Sequence, residues 1–176
     1  MKDYLIVVDM QKDFVDGALG TKEAVAIVPA VKRRVEAALA AGETVIFTRD
    51  THEENYLETQ EGRNLPVRQY IRGTEGWQII PELREYAETV IDKPTFGSEK
   101  LGALLKEMDE KEKTGRITLV GLCTDICVIS NALLVKAFLP EVPVVVDPAC
   151  CAGVTPESHE NALGAMKACQ IAVETA

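Results

Sequence analysis

The sequence has no Lys/Arg-rich block. Its 19 basic residues are outnumbered by 28 acidic ones, giving a formal net charge of −9 and a pI of about 4.8. Non-specific nucleic-acid binding needs a basic patch to neutralise phosphates, so no nucleic-acid partner is expected. No apolar run approaches the ~20 residues of a membrane-spanning helix, and no membrane partner is expected either. The opening Met1-Lys2-Asp3-Tyr4 carries no leader-like pattern and enters an apolar run at once, so a cytoplasmic location is expected. Zinc-finger CxxC pairs are missing too. The five cysteines, Cys123, Cys127, Cys150, Cys151 and Cys169, are an odd number in a mid-sized chain, which argues against a disulfide framework. Most of them fit small buried hydrophobes. No internal repeat, low-complexity tract or linker interrupts the chain, and 176 residues suit one domain over 1–176.

What is present is an alternation of strand and helix patterns. Residues 4–8 form a continuous apolar run of strand length, as in strands buried on both faces. Further strands are predicted over 44–48, 89–92, 117–120, 142–146 and 170–173. Helices are predicted over 29–41, with Pro29 in the first turn and Gly42 as the stop, and over 99–108 and 128–138. Another runs over 156–168, with Thr155 as N-cap. Residues 51–77 read as a long polar loop with a single helical turn, a length that often carries function. The alternation predicts an α/β fold with a parallel sheet.

Polar residues stand at the C-terminal ends of these strands. Asp9 ends the first, Asp50 the second and Lys93 the third; Cys127 follows the fourth. In doubly wound sheets the first and fourth strands often lie side by side, at the crevice where ligands bind. That arrangement brings Asp9 and Cys127 together. Lys93 precedes Pro94, which keeps its backbone extended and helps aim the side chain. Cys127 sits on a strand-to-helix turn, near a helix N-terminus that favours thiolate. Lowering an ordinary thiol pKa of ~8.5 by ~1.5 units makes it about half ionised, worth roughly 2 kcal/mol.

An acid, an amine and a thiol suffice for amide hydrolysis. Asp9 takes the thiol proton, while Lys93 stabilises the thiolate and restrains the pKa of Asp9. The sulfur attacks a carbonyl, and ammonia leaves with a proton from Asp9. Asp9 then activates water against the thioester. Backbone N–H groups on the 123–127 turn form the expected oxyanion hole.

Plainer readings stand beside these. Lys93 is also what a surface lysine at a strand end looks like. Asp9, and still more Asp13, suits a turn cap. Thr51 and Glu54 form a capping-box pattern for a short helix. His159, with no acid or thiol near it in sequence, reads as a helix-surface residue. Phe14 and Trp77 suit a core as well as a pocket.

The stretch Val7-Val8-Asp9-Met10-Gln11-Lys12-Asp13-Phe14 resembles the opening motif of the isochorismatase-like cysteine hydrolases. Asp92-Lys93-Pro94-Thr95-Phe96-Gly97-Ser98 resembles their lysine motif, and Gly121-Leu122-Cys123-Thr124-Asp125-Ile126-Cys127-Val128 their nucleophile motif. The three occur in the right order over nearly the whole chain. The resemblance implies a three-layer doubly wound sandwich with a six-stranded, mostly parallel sheet. It also implies an Asp9, Lys93, Cys127 triad, a cis peptide between Leu122 and Cys123, and oxyanion donors at the N–H groups of Cys123 and Cys127. Homo-oligomers are common in the family, so one is expected.

Within that family, Thr48-Arg49-Asp50-Thr51-His52 resembles the nicotinamidase branch, which holds a divalent metal (Zn, Mn or Fe) against the pyridine nitrogen. The resemblance implies Asp50, His52 and Glu61 as ligands. The branch's third usual ligand, a histidine, is replaced here by Gln69, a far poorer zinc ligand than imidazole. That leaves three outcomes: a weak site, a site for a harder metal, or no site. Phe14, Trp77 and Phe96 are the candidate apolar walls of a ring pocket. The expected reaction is hydrolysis of a small-molecule amide, nicotinamide to nicotinate plus ammonia. The alternatives are a carbamoyl-amide or ureido-acid amidase, or a metal-free or vinyl-ether-cleaving relative on the same scaffold.

Overall fold

In the computed structural model, which describes residues 1–175, the strand-and-helix alternation closes into one sheet between two helical layers. The strands are β1 (Lys2–Val8), β2 (Thr44–Asp50), β3 (Val90–Lys93), β4 (Thr114–Leu122), β5 (Val144–Ala152) and β6 (Ala172–Val173). The helices are α1 (Lys12–Val15), α2 (Lys22–Ala40), α3 (Gln60–Asn64), α4 (Pro81–Arg84), α5 (Glu99–Lys111), α6 (Ile129–Phe138) and α7 (Pro156–Ala168). The sheet order is β3-β2-β1-β4-β5-β6, and every pairing is parallel. Among the described residues no helix is long and apolar enough to cross a membrane.

The apolar run of β1 explains the layering. Tyr4, Ile6 and Val8 face one core, and Leu5 and Val7 face the other. Successive side chains of a strand alternate between faces, so a run apolar at every position must be covered on both sides. On one face α5, α6 and α7 supply Leu101, Leu105, Ala132, Val135, Leu163 and Met166. On the other, α2 supplies Ile27, Val31, Val35 and Ala38.

Helix α2 corrects one expectation. It starts at Lys22, well before Pro29, because Thr21 caps it by accepting the Ala24 N–H at 3.0 Å. Pro29 therefore lies inside the helix, on its exposed side, where water can satisfy the carbonyl that proline leaves without a donor. Helix α7 starts as predicted, with a capping box between Thr155 and Ser158. The capping-box pattern at Thr51 and Glu54 forms no helix; Thr51 instead donates its N–H to Asp50 Oδ1. The loop after β2 holds a 3₁₀ turn at Tyr56–Glu58 and α3 rather than a single helical turn.

Candidate active site

Strands β1 and β4 are neighbours, with Val8 in register with Gly121. A Cβ at Gly121 would stand 2.2 Å from the Val8 carbonyl oxygen, and φ is +114° there, so this close approach requires glycine. Just beyond it, Asp9 takes a left-handed φ of 47°. Its carboxylate accepts from Thr48 Oγ1 at 2.7 Å. Gln11 joins the ends of β1 and β2, accepting the Asp50 N–H at 2.7 Å and donating to the Asp50 carbonyl at 2.8 Å.

Lys93 reaches the same point from β3, two strands and ~10 Å away, which only a long side chain can span. Its Nζ lies 2.7 Å from Asp9 Oδ2, 3.4 Å from Cys127 Sγ and 3.8 Å from Asp50 Oδ1, and it donates to the Thr95 carbonyl at 3.1 Å. Asp9 and Cys127 are fully buried and Lys93 nearly so. Burial works against the Lys93 charge. Asp9, Cys127 and Asp50 outweigh it and hold the amine above the usual lysine range. The ammonium thus sits between carboxylate and sulfur.

The sulfur itself departs from the expected thiolate. Burial, then the Asp9 carboxylate, push the Cys127 thiol well above its ordinary value; Lys93 opposes them without prevailing. Cys127 does not open a regular helix either. It lies in a π turn, Thr124–Val128, that precedes α6. Burial and the neighbouring Asp9 carboxylate thus favour the neutral thiol over the thiolate.

The cis peptide between Leu122 and Cys123 is present. The Cys123 carbonyl accepts from Ile126 N and Val128 N at 3.1 and 3.0 Å, which winds the turn tightly around it. Two residues that sequence reasoning missed pin this turn. Asn131 donates to the Cys127 carbonyl at 2.8 Å and the Phe96 carbonyl at 3.1 Å, and accepts the Ser98 N–H at 2.9 Å. It locks the Cys127 turn to the loop that follows Lys93. His159, read from sequence as a partnerless surface residue, is instead half-buried, with Nδ1 2.7 Å from Thr124 Oγ1. Its partner is 35 positions away in the chain, so spacing gave no signal.

A cavity of about 560 Å³ opens over this point. Cys123 and Ile126, which precede Cys127 in the turn, line it, as do Pro94 and Thr95, which follow Lys93. Phe14 and Phe96 line it as expected, but Trp77 does not. Trp77 stacks under Arg49, with the guanidinium carbon 3.4 Å from the ring centroid, and donates Nε1–H to Thr51 Oγ1 at 2.9 Å. The cation and the hydroxyl hold the indole outside the cavity. Asp13 is no turn cap; its Oδ2 accepts the Tyr70 N–H at 2.8 Å and ties the long loop to α1. No Lys, Arg or His lines the cavity among the described residues.

Donor atoms of Asp50, His52 and Glu61 lie within 4.8 Å of one another at the cavity edge. His52 Nε2 is 3.4 Å from Glu61 Oε1 and 4.0 Å from Asp50 Oδ1. Burial pushes the Asp50 carboxyl up to about 7, with Lys93 opposing. Burial lowers the basicity of His52, but Glu61 and Asp50 more than compensate and raise it. Gln69 is 2% exposed and stands in the same cavity wall. His52 Nε2 and Gln69 Oε1 are both buried without a well-formed hydrogen bond. Buried polar atoms are rarely left without a partner; the His52 nitrogen beside two carboxylates, with the Gln69 oxygen in the same cavity wall, fits a divalent cation.

The isochorismatase domain model matches residues 3–176. The chain is 30% identical over 173 residues to an uncharacterized isochorismatase family protein, PncA, of Bacillus subtilis (strain 168), covering 93% of each. Among solved structures it is similar to a pyrazinamidase of Pyrococcus horikoshii in complex with zinc, with TM-score 0.85, 29% identity and 100% of both chains covered. A pyrazinamidase/nicotinamidase of Streptococcus mutans UA159 superposes with TM-score 0.85 at 25% identity, over 98% of this chain and 100% of the other.

Proposed function

The chain belongs to the isochorismatase family, and on that premise we propose that it is a cysteine-dependent amidohydrolase that converts nicotinamide or a close aromatic amide to the acid and ammonia. The observation that carries the reading is the Lys93 ammonium lying 2.7 Å from Asp9 Oδ2 and 3.4 Å from Cys127 Sγ beneath an apolar cavity.

Asp9 takes the proton of Cys127 as the sulfur attacks the amide carbon. Lys93 offsets the negative charge as it passes from carboxylate to sulfur. The carbonyl oxygen becomes an oxyanion, which the N–H groups of Cys123 and Cys127 stabilise. The C–N bond then breaks, the nitrogen takes the proton from Asp9, and ammonia leaves a thioester. A water molecule next gives a proton to Asp9 and its oxygen attacks the acyl carbon. The C–S bond breaks, the proton returns to sulfur, and the acid departs. Because burial and Asp9 favour the neutral thiol, ionisation is coupled to attack rather than preceding it.

Asp50, His52, Glu61 and Gln69 would hold a divalent ion, which when bound supplies a Lewis-acid anchor for a ring nitrogen. Phe14, Phe96 and Ile126 supply apolar walls for the ring. The largely apolar lining of the cavity, with Phe14, Leu19, Phe96, Leu122 and Ile126, favours an aromatic amide over a ureido acid. Ammonia release from nicotinamide, pyrazinamide and a ureido acid tests this choice. Turnover of the two aromatic amides and not of the ureido acid is expected; preference for the acid would overturn it.

A further inference from the structure

The orientation of the Gln69 amide is set by its neighbour. Tyr56 has one hydroxyl proton, and it donates that proton to the Leu65 carbonyl at 3.0 Å. The hydroxyl can therefore only accept from Gln69, whose Nε2 donates to it at 3.0 Å. A flipped amide would set two acceptors face to face. Oε1 is thus turned away from Tyr56, buried and without a partner. Tyr56 also packs on the His52 ring, with centroids 4.5 Å apart. The loop pairing joins the two segments that carry these side chains: the His52 main-chain N–H donates at 2.9 Å to the carbonyl of Tyr70, the residue after Gln69. One buried tyrosine fixes both the imidazole and the amide.

We propose that Gln69 is a metal ligand through its amide oxygen, aimed by Tyr56, and that it shifts the cluster of Asp50, His52 and Glu61 away from zinc and toward oxygen-preferring ions such as Mn²⁺. The inference rests on reading that cluster as a divalent-metal site. With Gln69 the donors are one imidazole nitrogen and three side-chain oxygens. Zinc favours four-coordinate nitrogen and sulfur sites, whereas carboxylate and carbonyl oxygens suit Mn²⁺ in six-coordination. Zinc has the higher intrinsic affinity for almost any such site, so the effect is read in the ratio of the two affinities. Tyr56 is a positioning residue: it orients a ligand without touching the ion.

The test needs no turnover. Metal-free full-length protein is titrated with Mn²⁺ by electron paramagnetic resonance, and Zn²⁺ is measured by competition against it. Gln69→His is expected to raise the zinc-over-manganese affinity ratio at least tenfold, and Gln69→Leu to weaken Mn²⁺ binding by about tenfold or more. Tyr56→Phe should weaken Mn²⁺ binding by about tenfold, as loss of an orienting partner does. Unchanged affinities in Gln69→Leu would overturn the proposal. The wild-type chain gives an independent reading: its Co²⁺ form should show the weak visible absorption of six-coordinate cobalt, and the intense bands of a four-coordinate site would count against it. If neither Mn²⁺ nor Zn²⁺ binds the wild type, the metal site itself is refuted, while ammonia release measured separately still judges the cysteine mechanism.

Discussion

Lys93, Asp9 and Cys127 form a buried charged group in which each member depends on the others. Removing the cation leaves a carboxylate in the interior with no counter-charge, which costs about 3–5 kcal/mol. Lys93→Met should lower urea-unfolding stability by that amount, and adding Asp9→Asn should recover part of it. A single variant as stable as the wild type would deny the pair its burial. The same environment sets the reactivity of the sulfur. Burial and Asp9 raise the Cys127 pKa, so the thiolate forms only above the ordinary thiol range. Iodoacetamide labelling of Cys127 should therefore be slow at neutral pH and climb throughout the alkaline range. A plateau already reached at pH 7 would mean that a thiolate exists at rest.

At the scale of elements, the site is a property of how four chain segments end. β1 and β4 touch at Gly121, and Gly121→Ala sets a methyl 2.2 Å from the Val8 carbonyl at a φ of +114°. Overpacking and backbone strain together predict a loss of about 3 kcal/mol or more, read as a fall in the urea midpoint. Much of this was legible in the sequence. Asp9, Asp50, Lys93 and Cys127 each close an apolar strand or follow one, and parallel sheets gather such ends on one side. Other features were hidden for physical reasons. Pro29 looked like a helix start because proline favours the first turn, but the Thr21 cap and the apolar spacing of Ala24, Ile27 and Val31 carry the helix through it. Trp77 looked like a pocket wall, yet its fate is decided by Arg49, a long-range stacking partner that no local pattern reveals. Asn131 and His159 act through partners more than 30 positions away. The upward push on the Cys127 thiol had no local signal, because a helix-end position is read locally whereas burial is a property of the whole fold.

For the molecule as a whole, stability against pH follows from which protons the native state retains. Burial raises Cys123 and Cys150 to about 12, and raises Cys127, Cys151 and Tyr70 further above their ordinary values. Lys93 is held protonated above the usual lysine range, its carboxylate and thiol neighbours outweighing burial. All these groups have folded pKa values above the unfolded ones. Their contribution is complete below about pH 8.5, where the unfolded chain also holds the protons, and is lost as pH rises beyond it. Urea midpoints should fall steadily above about pH 9; a midpoint that rises there would reverse the sign of the account. Asp50 works the same way at lower pH. Its pKa is raised to about 7, so in metal-free protein its contribution is present in acid and lost as pH rises through that value.

The claim on which the rest depends is that Cys127 attacks the substrate with Asp9 as its proton acceptor. The most direct measurement is ammonia release from nicotinamide by Cys127→Ala, beside a urea-unfolding curve of the same preparation. The account predicts a native unfolding curve and turnover reduced by at least about a thousandfold, the scale lost when a covalent nucleophile is removed. Ammonia release at or near the wild-type rate by a folded Cys127→Ala protein would contradict it.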